Sequence, residues 1–296
     1  MKKRCFIIVG LLCIVLALSS VQAQDDGMEE QIKKYAESNG QLYLQPLADA
    51  FGANMNGGIF HGAKISKWGF HLNIGVVGMG AFIKDEQRTF EPKDEYDIHP
   101  IPGKLLPTIF GKTESVDWDG IELPGGVYEA DIVPLVVPQL TIGNVMGTRA
   151  VVRWIEINIA EEIGKIGLFG IGVQHSISQY IPLIPVDIAV GGFWQSFSIG
   201  DLVKANTIYV GLNVGYSLSI LHFYGGIGYE TSSLDIHFES EVEGSTEPFI
   251  VDFTLEGANS MRTTIGLLLD IPVVKIFADY NLAAQNTVTL GIAFGI

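Results

Sequence analysis

"TIYVGLNVGYSLSILHFYGGIGYE", Thr207 to Glu230, is the stretch whose reading decides the fold. It holds 23 residues before its first charge, long enough for a transmembrane helix. In steps of two, however, Ile208, Val210, Leu212, Val214, Tyr216 and Leu218 form one apolar set. Between them stand Thr207, Tyr209, Gly211, Asn213, Gly215 and Ser217, which are small or polar apart from one tyrosine. This is a strand period, with β-branched and aromatic residues prominent. A helix would carry Asn213 and several glycines into lipid, against both propensity and hydrogen-bond satisfaction. After Ser219 the parity flips, and Leu221, Phe223, Ile227 and Tyr229 become the apolar set. A flip across a short link is what a tight hairpin produces, so the stretch reads as two antiparallel strands.

The chain opens "MKKRCFIIVGLLCIVLALSSVQAQDD". Lys2, Lys3 and Arg4 form a basic region, Phe6 to Leu18 an apolar one, and Val21-Gln22-Ala23 a small-x-small cleavage site. Residues 1–23 therefore read as a secretory signal peptide rather than an anchor. Cys5 and Cys13, the two cysteines, leave with it, so the expected mature chain has no thiol, disulfide or thiolate metal site. It keeps 15 basic residues against 33 acidic ones, a net charge of −18. Such an acidic chain is a poor partner for nucleic acid.

The remaining apolar content sits in alternating segments rather than helical spans. The predicted strands are 67–83, 148–160, 166–178, 186–200, 207–218, 221–238, 247–256, 261–271, 273–281 and 287–296. Two more are expected if 116–123 and 132–142 contribute. An exported chain whose strands keep one face apolar and the other rich in Gly, Ser, Thr and Asn reads as an all-β, antiparallel transmembrane β-barrel of about 10–14 strands, greasy outside and polar inside. Residues 67–296 form this barrel in the sequence reading, with 84–135 as a long loop of 12 acidic and five basic residues. Residues 24–66 are expected to be a short helical segment or plug. "MEEQIKKYAESNG" (28–40) predicts a helix stopped by Asn39-Gly40, and Pro46 and Gly57-Gly58 break residues 41–66 into a helix turn and a flexible link. Leu42, Tyr43, Leu44, Leu47 and Phe51 form an apolar cluster with no other core to join, and this places the segment in the lumen or its periplasmic mouth. With the first strand running outward, the acidic segment 239–247 is expected on the periplasmic side, where turns should be short.

The chain ends "TVTLGIAFGI". Thr289, Gly291, Phe294 and Ile296 resemble the carboxy-terminal signal read by the barrel-assembly machinery of the outer membrane, with Phe two residues from the end instead of last. More widely, "YLQPLADAFGANMNGG" followed by "KWGFHLNIGVV" makes residues 41–296 resemble a bacterial outer-membrane β-barrel family of unassigned function. A remoter similarity is to the long-chain fatty-acid transporters of the outer membrane. That resemblance implies a helical hatch in the barrel and hydrophobic cargo leaving sideways into the bilayer. The hatch of those transporters carries Asn-Pro-Ala, and the nearest counterpart here is Asn56-Gly57-Gly58.

Other constellations read as structural. His61, His71, His99, His175, His222 and His237 form no metal spacing, and no metal site is expected. His175 and Ser176 are strand neighbours that face opposite ways, so no catalytic pair is expected there. "DWDGIE" (117–122) lacks the full spacing of a calcium loop and reads as an acidic surface loop. The Gly-rich "GIGVQ" (170–174) and "GGIGYE" (225–230) lie inside strands, without the helix a phosphate loop requires, so no cofactor is expected. Trp68, Trp118, Trp154 and Trp194 are candidates for an interfacial girdle. Functionally, the leading reading is an outer-membrane barrel, not an enzyme, that binds or passes a small hydrophobic molecule; its other partners are the lipid bilayer and the assembly machinery. The alternatives are a structural or surface-binding barrel without transport and, third, an outer-membrane hydrolase. A Phe- and Leu-lined lumen favours the first, a filled lumen the second, and convergent Ser, His and Asp the third.

Overall fold

The computed structural model describes residues 28–160, 164–240 and 249–295. The predicted signal peptide and Ile296 lie outside them. The elements are α1 (Met28–Met55), β1 (His71–Phe82), β2 (Thr89–Phe90), β3 (Leu106–Pro107), β4 (Val116–Trp118), β5 (Ile121–Leu123), β6 (Ile132–Val145), β7 (Thr148–Ala160), β8 (Gly164–Ser176), β9 (Asp187–Ile199), β10 (Val203–Leu218), β11 (Leu221–Ser240), β12 (Phe249–Glu256), β13 (Met261–Ile271), β14 (Val274–Leu282) and β15 (Thr287–Gly295). Eleven strands form one antiparallel sheet in the order β10-β9-β8-β7-β6-β1-β15-β14-β13-β11-β12, and a β10–β11 pairing closes it into a barrel.

Two features reconcile this order with the strands read from sequence. β12 and β13 pair with the same edge of β11, β12 along Ser233–Ser240 and β13 along Leu221–Tyr229. They share one position in the wall, so eleven strands make a ten-position barrel. β6, over the predicted 132–142 segment, is a full wall strand paired to β1 along its length. The segment 116–123 is instead the small hairpin β4–β5, outside the wall. One strand gained and two merged leave the count at ten but reverse the direction of the strands between. β11 therefore ends at Ser240 on the same end of the barrel as the long insertion. Glu239 and Ser240, which open the acidic segment, thus lie at that end and not at the turn end as expected; residues 241–248 lie outside the described residues.

The two ends differ. At the turn end three of the four links are short, Met146-Gly147, Ser219-Ile220 and Pro272-Val273, and the fourth, residues 177–186 between β8 and β9, is ten residues long. Met146, Gly147, Ser219 and Val273 all have positive φ, as tight hairpin turns need. β1 starts and β15 finishes there. The loop end carries residues 83–131. In that insertion, Asp119 and Gly120 take φ of 55° and 87° at the β4–β5 turn, and the Asp117 carboxylate accepts the Gly120 amide at 2.9 Å. "DWDGIE" is thus a two-residue hairpin turn. Trp118 is buried in the insertion with Phe90, Leu106, Phe110 and Leu123, and its indole donates to the His99 carbonyl at 2.9 Å. It is no girdle residue, whereas Trp68, Trp154 and Trp194 stand exposed on the outside.

The wall follows the alternation. In β10, Ala205, Thr207, Tyr209 and Asn213 are buried toward the lumen, while Ile208, Val210, Leu212, Val214 and Tyr216 are exposed outward. β8 exposes Phe169, Ile171 and Val173, β13 exposes Ile265 and Leu267, and β15 exposes Leu290, Ile292 and Phe294. A closed barrel leaves no open sheet edge, and an apolar outer band on such a barrel is the surface a bilayer requires. No described helix is long and apolar enough to cross a membrane.

α1 is longer than expected, running through Asn39-Gly40 and Pro46 to Met55. Asn39 does not stop it because its side chain is occupied elsewhere. The amide donates to the Lys93 carbonyl at 3.1 Å and accepts from the Lys93 N–H at 2.8 Å, clamping the insertion onto the helix. Tyr35 and Tyr43 stack at 5.0 Å between ring centroids and donate to the Pro124 and Gly125 carbonyls at 2.6 and 3.0 Å. Burial pushes both phenols above the usual tyrosine range. The last turns enter the barrel: Gln45 donates to the Glu256 carbonyl at 2.8 Å and Asn54 to that of Val133 at 2.7 Å. Residues 56–66 then descend through the lumen to the turn end. The helix thus sits in the loop-end mouth under the insertion, not in the mouth at the turn end.

Candidate functional site

The filled lumen is the candidate site, and it has three levels. The upper level is apolar. Tyr43 and Leu44 are fully buried, with Leu42, Leu47 and Phe51 packed against the same cluster, which includes Leu135, Ile155, Phe197, Leu234, Phe253 and Leu255 of the wall. All five predicted plug residues therefore come together. Phe51 meets Phe197 edge-on at 4.8 Å between centroids.

The middle level is polar and organised by Arg153, which is fully buried. α1 ends at Met55, and the last carbonyls of any helix lack intrahelical partners. Arg153 supplies a partner for the last of them and for two carbonyls just beyond the helix. Its Nη1 donates to the Met55 carbonyl at 3.1 Å, and its Nη2 to those of Gly57 and Gly58 at 2.8 and 2.6 Å. A guanidinium at a helix carboxy terminus also answers the negative end of the helix dipole. Nε donates to the Gln139 side chain at 2.8 Å, which fixes Arg153 to the neighbouring strand. The chain can come this close because Gly58 has no side chain. With φ of 58° it takes a left-handed conformation, and a Cβ there would lie 2.5 Å from Val77 and 2.7 Å from Thr289. The Asn56-Gly57-Gly58 break is thus the contact between plug and clamp.

Around Arg153 most of the buried polar side chains bond one another, as burial demands, while single atoms such as Gln195 Nε2 and Thr207 Oγ1 have no partner among the described residues. Glu230 and Arg262 form a buried ion pair at 3.0 Å, and Asn259 donates to Glu230 at 2.8 Å. Arg262 lies 4.5 Å over the Tyr209 ring. Tyr224 donates to Asp279 at 3.0 Å, and Asn281 joins Asp279, Thr264 and Thr287. The level thus holds a peptide segment in a fixed place, with side chains that are charged or amidic rather than Phe or Leu.

At the lower level Ile59, Phe60, Val151, Phe193 and Tyr209 pack together, and beside them a cavity of about 150 Å3 opens at the turn end. Here Ser217, His222 and Asp270 converge. The Ser217 hydroxyl is 2.7 Å from His222 Nδ1, and Asp270 lies 3.9 Å from His222 Nε2. The carboxylate is already engaged by Lys275, and Ser217 is also 3.4 Å from Asp187. The arrangement is a cross-strand pair of β10 and β11, Ser217 opposite His222, in the wall of the cavity. His175 and Ser176 do not meet: His175 bonds Thr148 and Tyr180, and Ser176 bonds Ser178. Among the described residues, no three His, Cys, Asp or Glu side chains gather as a metal set.

The carboxy-terminal residues divide by face. Thr289 is fully buried against Gly58 of the plug, Gly291 lies under the Phe277 ring, and Phe294 is exposed on the outer band. Ile296 lies outside the described residues. What sequence reading missed is Arg153 and Arg149. The available signal was two arginines four apart on the lumen parity of β7, beside the outward Trp154.

These features define an outer-membrane-type β-barrel plugged by its own amino-terminal segment. Within that class, the chain belongs to the Family of unknown function (DUF6588), which matches residues 1–296. No curated protein shows significant sequence similarity to it. Among solved structures, the attachment invasion locus protein Ail of Yersinia pestis is 11% identical with a TM-score of 0.25, over 77% of this chain and 99% of that one. The translocator domain of autotransporter NalP from Neisseria meningitidis is 11% identical with a TM-score of 0.28, over 88% and 99%. A Pseudomonas aeruginosa FadL homologue is 8% identical with a TM-score of 0.21, over 83% and 96%.

Proposed function

We propose that the protein is exported by its signal peptide, inserted by the barrel-assembly machinery, and serves as a closed outer-membrane barrel that presents α1 and the 83–131 insertion at the cell surface. In this reading it acts by binding at that surface, without catalysis and without an open channel. The observation that carries it is the filled lumen: residues 56–66 run through the barrel, and Arg153 holds the plug by three backbone carbonyls. The orientation is supported by the 83–131 insertion at one end against three two-residue turns at the other, since outer-membrane barrels keep short turns in the periplasm and longer loops outside. Loops on a rigid scaffold are also where binding function concentrates.

A second reading keeps the small hydrophobic molecule. It is favoured by the apolar upper level, where Phe197, Phe253 and Leu255 of the wall belong to the cluster that Phe51 of the helix packs against. Passage by this route requires residues 56–66 to leave the lumen.

The orientation is tested by single cysteines, since both natural ones lie in the predicted signal peptide. A membrane-impermeant maleimide is expected to label Glu37→Cys and Tyr96→Cys on intact cells. Ile220→Cys is expected to react only once the outer membrane is opened. Labelling of Ile220→Cys on intact cells, with Glu37→Cys and Tyr96→Cys protected, would reject surface presentation.

A further inference from the structure

The cavity at the turn end carries unpaired positive charge in an acidic protein. Arg149 of β7 and Lys64 of the descending segment both line it. Arg149 spends Nε on the Gln174 side chain at 2.7 Å and Nη2 on the Gly62 carbonyl at 2.6 Å. Among the described residues neither cation has a carboxylate within ion-pair distance, and Nη1 of Arg149 has no partner. Lys275, a third cation in the wall, is matched by Asp270.

His61 stands beside them in the wall. Gln139 Oε1 accepts from Arg153 Nε, which orients the amide so that its Nε2 donates to His61 Nε2 at 3.0 Å. The proton of His61 therefore sits on Nδ1. That N–H is buried and has no partner among the described residues, while the ring belongs to the cavity wall. Buried donors without partners are rare in folded proteins.

We propose that this vestibule binds a small molecule through an oxyanion, a carboxylate or phosphate group held by Arg149 Nη1 and Lys64 Nζ. A guanidinium with a free edge suits an oxyanion by shape as well as charge. A cavity of about 150 Å3 sets the scale at a single small group. Asp187, which also lines the cavity and has no cation partner among the described residues, disfavours ligands of high negative charge.

The test is calorimetric titration of the detergent-refolded full barrel with inorganic phosphate and, separately, with acetate, at constant ionic strength set by chloride. Saturable heat with either anion is expected, and the stronger arm identifies the group recognised. Lys64→Gln, at an exposed side chain with no bond to lose, should weaken binding roughly tenfold, the loss of one charge-assisted contact. Arg149→Gln should abolish it. Absence of saturable heat for both anions, or unchanged binding in Lys64→Gln, would overturn the proposal. Binding to purified protein does not depend on orientation, so a failed titration and a failed labelling experiment reject separate claims.

Discussion

Replacing Arg153 with alanine is expected to unseat the plug. Three backbone carbonyls, of Met55, Gly57 and Gly58, lose their donor, and Gln139 loses its fixed neighbour. Each buried acceptor left without a donor costs about 1–3 kcal/mol, so the variant should lose on the order of 3 kcal/mol or more. Part of that is recovered if water enters, and water entering is itself the opening of the lumen. Arg153→Ala should therefore unfold at lower urea than the parent protein and show current flickering in planar bilayers. Arg153→Lys should fall between them, because an ammonium keeps the charge but not the planar fork that spans three carbonyls and an amide. Unchanged urea stability in Arg153→Ala would mean that the plug is held by the apolar level above.

The second large effect separates neighbours on the last strand. Leu290 faces the outer band, where an arginine near mid-depth costs about 2–4 kcal/mol. Lumen positions usually tolerate charge better, and sequence alone predicts that Thr289→Arg does much less harm than Leu290→Arg. The structure removes that difference. Thr289 is fully buried and its methyl group packs on Gly58, so an arginine has no space unless the plug moves. Both variants should lose stability, by different routes. Leu290→Arg should unfold early in urea yet remain electrically silent, whereas Thr289→Arg should conduct. Conductance from Leu290→Arg and silence from Thr289→Arg would invert the facing of β15.

The wall was legible because its signal is local and repeated. Thr207 to Glu230 states in its own order which side chains meet lipid. β6 was harder to read because Pro134 and Pro138 break the pattern, and the β6–β7 pairing indeed stops at Gln139–Arg153, one residue short of Pro138. β12 and β13 read as separate strands because Gly257 to Ser260 interrupts a single wall position. Asn39-Gly40 read as a helix stop, since its partner Lys93 lies more than fifty residues away. The apolar plug residues were visible as a cluster without a core. Their clamp was not, because Arg153 acquires meaning only when closure brings β7 over the end of α1. The same holds for His61, whose tautomer is set by a chain of contacts through Gln139 from Arg153.

The claim that the barrel is closed by its own chain is tested most directly by the conductance of the unmodified protein. Refolded and inserted into planar bilayers, it is predicted to give no steady current steps, since residues 56–66 and the Arg153 level fill the lumen. Long-lived, ohmic channels from the unmodified protein at modest voltage would contradict the account.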